Sequence, residues 1–208
     1  MRTGITVALA TAAAALLLAL AVASASANRL SYSEQSFRIV WTRLIFSEAG
    51  GGFPINCPVT LEGSFHARTF TKTRDQLSGY ITNAVVNNAA CTEGHATILR
   101  ATLPWHVTFQ SFTGTLPNIT AVRYDLIGAA FQIEPGLGIV CLASSSVTSP
   151  AAGNASREAG GNITSLQPDS SLAIPVTGAL CPEAGIFSGS GEVYVQGSSE
   201  RRVRLTLI

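Results

Sequence analysis

The sequence predicts an all-β protein: a disulfide-stabilised antiparallel β-sandwich, with a closed β-barrel as the alternative. Three observations carry that prediction. Apolar and polar residues alternate with period two along much of the chain, as half-buried strands require. Clusters of Gly, Pro, Ser and Asn interrupt the alternation at short intervals and punctuate it like turns. Four cysteines, an even set, suit a disulfide framework in an exported chain.

Export is read from the first 27 residues. Arg2 supplies a positive start, Ile5 to Leu20 is an almost unbroken apolar run, and Ala23-Ser24-Ala25 and Ala25-Ser26-Ala27 offer small-residue cleavage sites. That order is the pattern of a secretory signal peptide, cut near Ala25 or Ala27. Residues 28–208 then form a single all-β domain, secreted or extracellular. The 13 basic residues less Arg2 leave 12, equal to the 12 acidic ones. This balance argues against a nucleic-acid partner, which needs a basic face, and against electrostatic docking on anionic lipid. Charged residues make up only 12% of the chain, so Ser, Thr, Asn and Gly must cover the surface.

Phe37 to Phe46 is apolar on both faces and predicts a central strand covered from both sides. Val59, Leu61, Phe65 and Ala67 alternate with Thr60, Glu62, Ser64, His66 and Arg68, a half-buried strand. Lys72 to Val86 could place Leu77, Ile81 and Val85 on one helical face. Its Tyr80-Ile81-Thr82 and Val85-Val86 favour a strand instead. Trp105, Val107 and Phe109 alternate with His106, Thr108 and Gln110, and Val122, Tyr124 and Leu126 with Arg123 and Asp125. Phe131 and Ile133 shift parity after Gly128, which predicts a β-bulge there. Gly50-Gly51-Gly52, Ser78-Gly79, Thr113-Gly114 and Pro135-Gly136 read as turns. Ser144 to Gly161 has no periodic apolar face and reads as a long flexible loop. At the C-terminus, parity predicts a hairpin with three or five loop residues around Gly197 to Arg201. That register sets Val195 opposite Val203 and Val193 opposite Leu205.

Cys57, Cys91, Cys141 and Cys181 allow three disulfide connectivities. Sequential pairing, Cys57–Cys91 and Cys141–Cys181, closes the shorter loops and is favoured. On the loop-entropy model each bridge stabilises the fold by up to roughly 4 kcal/mol. Metal ligation is the rival, but there is no Cys-x-x-Cys pair and no histidine within three residues of a cysteine. No metal and no cofactor are expected.

No catalytic signature is present: no Gly-x-Ser-x-Gly elbow, no His-Glu-x-x-His, no phosphate loop and no dinucleotide fingerprint. Gly189-Ser190-Gly191 reads as a strand bend. His66 and His106 fall on polar strand faces, and His95 follows Glu93-Gly94 in a turn. A Ser-His-Asp triad could draw on His66 or His106 with Asp75 or Asp125, but no spacing recommends it. The nine glutamates and three aspartates are scattered singly, so no carboxylate pair for sugar hydrolysis stands out. Trp105, Phe109 and Phe112 lie between Leu103-Pro104 and Leu116-Pro117 and could form an aromatic platform. Alternation assigns Trp105, Phe109 and Trp41 to the core instead. Asn118, Asn154 and Asn162 head N-glycosylation patterns, and in a chain this rich in Asn, Ser and Thr the sequence leaves their modification open.

A membrane barrel would turn Glu62, Arg68, Arg202 and Arg204 toward lipid, so no stable membrane insertion is expected. These readings lead to a non-enzymatic secreted or cell-envelope protein with a binding or structural role. Its partner is unknown, a small ligand or the cell envelope, and no catalytic or ligand-binding residue is singled out. One alternative is a secreted hydrolase whose active site is assembled from distant residues. Another is a small apolar-ligand carrier built on a barrel, which needs a cavity on the order of several hundred cubic ångströms.

Overall fold

Strands occupy most of the described residues, 29–52 and 54–208 of the computed structural model; the signal peptide predicted over 1–27 lies outside them. In chain order they are β1 (Arg29–Tyr32), β2 (Ser36–Glu48), β3 (Ile55–Phe65), β4 (Thr69–Thr71), β5 (Leu77–Val86), β6 (His95–Ile98), β7 (Trp105–Thr115) and β8 (Asn118–Ile127). There follow β9 (Ala130–Gly136), β10 (Ile139–Ser144), β11 (Ala151–Arg157), β12 (Ile163–Pro168), β13 (Ile174–Thr177), β14 (Ala184–Ser188), β15 (Gly191–Val195) and β16 (Leu205–Leu207). Two single-turn 3₁₀ helices, Asn88–Ala90 and Arg100–Thr102, are the helical segments described.

The fold is all-β and antiparallel, and its main sheet closes on itself, as the barrel alternative required and the sandwich did not. β2, β3, β5, β7, β8, β11, β12 and β15 follow one another around a ring in chain order. The ring shuts where β15 returns to β2, with Val195 opposite Phe37 and Val193 opposite Ile39. Inward positions are apolar: Phe37, Ile39, Val59, Leu61, Ile81, Val122 and Val193 are all buried. β2 does not read as covered on both faces, because Phe37, Ile39 and Trp41 are buried while Arg38 and Val40 are half-buried. Thr42 and Arg43 are both exposed at a register shift, and Leu44 and Phe46 resume the burial with the opposite parity. That bulge re-aims the strand, so its second half leaves β15 and pairs with β14, Phe46 opposite Phe187.

From β14 a second sheet runs through β13, β10, β9 and β6. It carries its own small core of Cys141, Ala143, Ile174 and Val176. Its far edge is drawn back to β3 by the Asn56–Thr92 bridge and the Cys57–Cys91 disulfide. The second disulfide joins Cys141 on β10 to Cys181 in the loop before β14. Both are the pairings that close the shorter loops.

A three-stranded sheet, β16–β1–β4, covers the end of the barrel where β2 begins and β3 ends. Its Tyr32 stacks on Phe65 with ring centroids 3.4 Å apart, and its hydroxyl meets that of Tyr124 at 2.6 Å. Burial raises the pKa of both phenols, so both stay neutral at physiological pH. Tyr32→Phe would leave the Tyr124 hydroxyl buried without its partner, at a cost of about 1–2 kcal/mol. The expected result is a lower urea midpoint, partly restored when Tyr124→Phe is added. No recovery in the double variant would mean that ring packing, not the hydroxyl pair, holds the two elements together.

Several sequence expectations fail for one reason: pairing partners, not local pattern, decided the outcome. Residues 151–157 form β11 rather than a loop, because β8 and β12 supply hydrogen bonds on both edges. Gly128 is not a bulge within one strand. With φ +85 it is the break at which the chain leaves the barrel for the second sheet. Ser78-Gly79 is strand rather than turn; a Cβ on Gly79 would stand 2.7 Å from the Ser64 carbonyl oxygen. The C-terminal hairpin does not form. Val195 N–H bonds Arg201 O, but β16 then departs to pair with β1, Leu207 opposite Leu30. The parity was nonetheless informative, since Val193, Val195, Val203 and Leu205 are all buried.

Candidate functional site

The barrel interior is not filled. Around an eight-stranded ring the lumen is just wide enough either to be packed by side chains or to hold one small ligand. β11 contributes Ala151, Gly153 and Ala155, opposite Leu126, Tyr124 and Val122 of β8. Three small residues in succession leave a cavity of about 130 Å³, bounded across the lumen by Ile39, Trp41 and Leu61. Phe131 and Phe187 stand at its upper end and Phe65 at its lower. The run of small residues that read as a loop therefore lines the cavity, and no apolar periodicity could have signalled it.

Polar groups around the cavity are few. Among the described residues Asp125 is the sole charged one in its wall, and the alternation that turns Tyr124 and Leu126 inward turns Asp125 outward. Burial raises the Asp125 pKa, opposed by the nearby Arg123 and reinforced by Asp75. Tyr124 keeps its hydroxyl on Tyr32. Trp41 differs: it is 3% exposed, and its Nε1–H is buried without a hydrogen-bond partner among the described residues. Its ring lies against Gly191, where a Cβ would come within 2.5 Å. The glycine is thus the space the indole occupies.

A second apolar cavity, of about 90 Å³, lies inside the second sheet between Phe46, Ile139, Ile174 and Phe187. Leu137 and Leu180 stand at its rim, 100% and 87% exposed, with φ of 55° and 65°. Large side chains rarely adopt that backbone region.

The residues weighed from sequence are spread over the molecule. His66 and His106 both lie on the outer barrel face, each meeting Tyr80 edge-on with centroids 6.1 and 5.4 Å apart. Neither makes a side-chain hydrogen bond to Asp75 or Asp125 among the described residues; Asp75 accepts from Gln110 instead. Trp105 is fully buried with Nε1 donating to Thr102 Oγ1 at 2.8 Å, and Phe109 is buried beside Phe70. These two are core, while half-buried Phe112 carries Lys72 Nζ over its ring. His95 opens β6 opposite Glu134, in an open groove of about 380 Å³ that Glu93 also lines. Among the described residues no group of three or more His, Cys, Asp or Glu gathers as a metal site, and no helix is long and apolar enough to cross a membrane. No family model matches this chain, and neither a curated protein nor a solved structure matches it.

Proposed function

We propose that this is an exported, non-enzymatic binding protein that holds a small apolar ligand inside its barrel. The observation that carries the reading is the unfilled lumen of about 130 Å³ beside the small residues of β11. An apolar cavity of about 150 Å³ in an engineered protein stays dry and takes up benzene, which sets the scale of the ligand. The volume falls short of what a carrier of larger molecules needs, so the ligand is compact or slender. The unpaired Trp41 Nε1–H adds chemistry. A buried donor without an acceptor costs about 1–3 kcal/mol, which a compact ligand held wholly in the barrel and carrying one acceptor atom, such as cyclohexanol, would offset. Export fits the pattern of residues 1–27 and the two disulfides, which persist in oxidising compartments.

The second reading, a hydrolase, has its best support in the groove holding His95, Glu93 and Glu134. No Ser, Thr or Cys lines that groove among the described residues, so it offers no nucleophile of that kind. Methyl and indole NMR spectra recorded with benzene and with cyclohexanol separate the possibilities. Binding in the barrel shifts Ile39 and Val193 methyls with either compound, and moves the Trp41 indole proton with cyclohexanol. Spectra unchanged by both compounds would overturn the proposal.

A further inference from the structure

We infer that the ligand is an uncharged, linear aliphatic chain that threads both cavities past Phe187. The inference deepens the proposed function and rests on it. Phe187, on β14, lines the barrel cavity and the outer one alike, so a single half-buried ring is the partition between them. The ring is held by apolar contacts: Phe131 and Phe46, at centroid distances of 5.3 and 5.0 Å, and the cluster of Cys141, Ala143, Ile174 and Val176. Such contacts yield to a side-chain rotation, and an apolar chain passing the ring replaces them with contacts of the same kind. With Phe187 turned aside, the two spaces make one bent channel from the barrel interior to the rim. A compact ring compound uses the barrel cavity alone; a linear chain is the shape that uses both.

The rim sets the rest of the chemistry. Leu137 and Leu180 stand in solvent there, an apolar threshold suited to a chain arriving from a lipid phase or another apolar carrier. Among the described residues the sole charged one in the outer wall is Glu48, and no Lys or Arg lines it. A carboxylate head group would therefore meet a like charge with no cation to pair, whereas an alcohol, ester or hydrocarbon would not.

The test uses dodecanol, hexanol, laurate and benzene with methyl NMR of the folded protein. Dodecanol is expected to shift Ile174 and Val176 in the outer cavity together with Val193 in the barrel. It should bind more tightly than hexanol by about fourfold for each further buried methylene, and laurate more weakly than dodecanol. Phe187→Trp, which thickens the partition, should lower dodecanol affinity at least about tenfold more than it lowers benzene affinity; benzene binding also reports that the variant is folded. Dodecanol confined to the barrel methyls, or unaffected by the tryptophan, with benzene still bound, would overturn the inference and leave the proposed function standing. Laurate binding as tightly as dodecanol would overturn the requirement for a neutral head. No shift with either benzene or dodecanol would remove the proposed function as well.

Discussion

Replacing Cys57 and Cys91 together with alanine is expected to destabilise the fold by at least about 4 kcal/mol, more than removal of the other bridge does. The loop-entropy model does not separate the two disulfides. Their sequence separations are 34 and 40 residues, and each gives about 4 kcal/mol. Packing decides between them. Each bridge has one buried and one half-buried cysteine, but Cys57 is fully buried within the large main core and Cys141 within the four-residue core of the second sheet, so the loss of Cys57 carries the larger cavity penalty. Position adds to this, because the Cys57–Cys91 bridge sits beside the Asn56–Thr92 pairing that draws the second sheet back to the barrel. Urea midpoints of Cys57→Ala/Cys91→Ala and Cys141→Ala/Cys181→Ala would check the ranking. An equal or smaller shift for the first pair would show that burial at Cys57 contributes nothing beyond loop closure.

Ala155→Leu is expected to raise stability and abolish ligand binding at once. Small-to-large changes in a packed core normally cost about 1–3 kcal/mol through overpacking. Ala155 is buried yet faces an existing void, next to Val122 on one side and Leu166 on the other. A leucine there grows into empty space. At about 0.8 kcal/mol for each buried methylene-sized group, the gain is up to roughly 2 kcal/mol. For a domain of this size that is a rise in Tm of a few degrees, on the order of 2–8 °C. The same atoms occupy the volume a ligand requires, so affinity for benzene or cyclohexanol should fall at least about tenfold. The sign of the stability change is the informative part, since stabilising a void at the expense of binding is what a functional cavity predicts. Lower Tm with affinity retained would mean that the lumen is packed tightly at Ala155 and that the ligand sits elsewhere.

Much of the strand content was legible. β3 alternates without interruption in sequence, and its burial alternates in the same phase from Ile55 to Phe65. β5 was recognisable against its helical alternative because β-branched and aromatic residues prefer a pleated surface. The candidate site was not legible, and the reason is physical. A cavity is the absence of side chains, so Ala151, Gly153 and Ala155 left no periodic signal, and the residues that frame it look like ordinary core. Trp41 read correctly as buried, but its unpaired Nε1–H depends on what surrounds it in space.

By itself the sequence determined the class of secondary structure and the inward parity of residues such as Leu61, Phe109 and Val195, and it favoured, without choosing it, the disulfide pairing with the shorter loops that the structure shows. Each of these follows from local geometry: a two-residue side-chain period, or the chain length between two cysteines. Only the tertiary structure decided that the sheet closes, that β2 serves two sheets, that β16 leaves β15 for β1, and that β11 is a strand. Those outcomes depend on which backbone edges meet across more than a hundred residues, as Val195 meets Phe37. An edge amide carries no mark of its partner until the fold brings one to it.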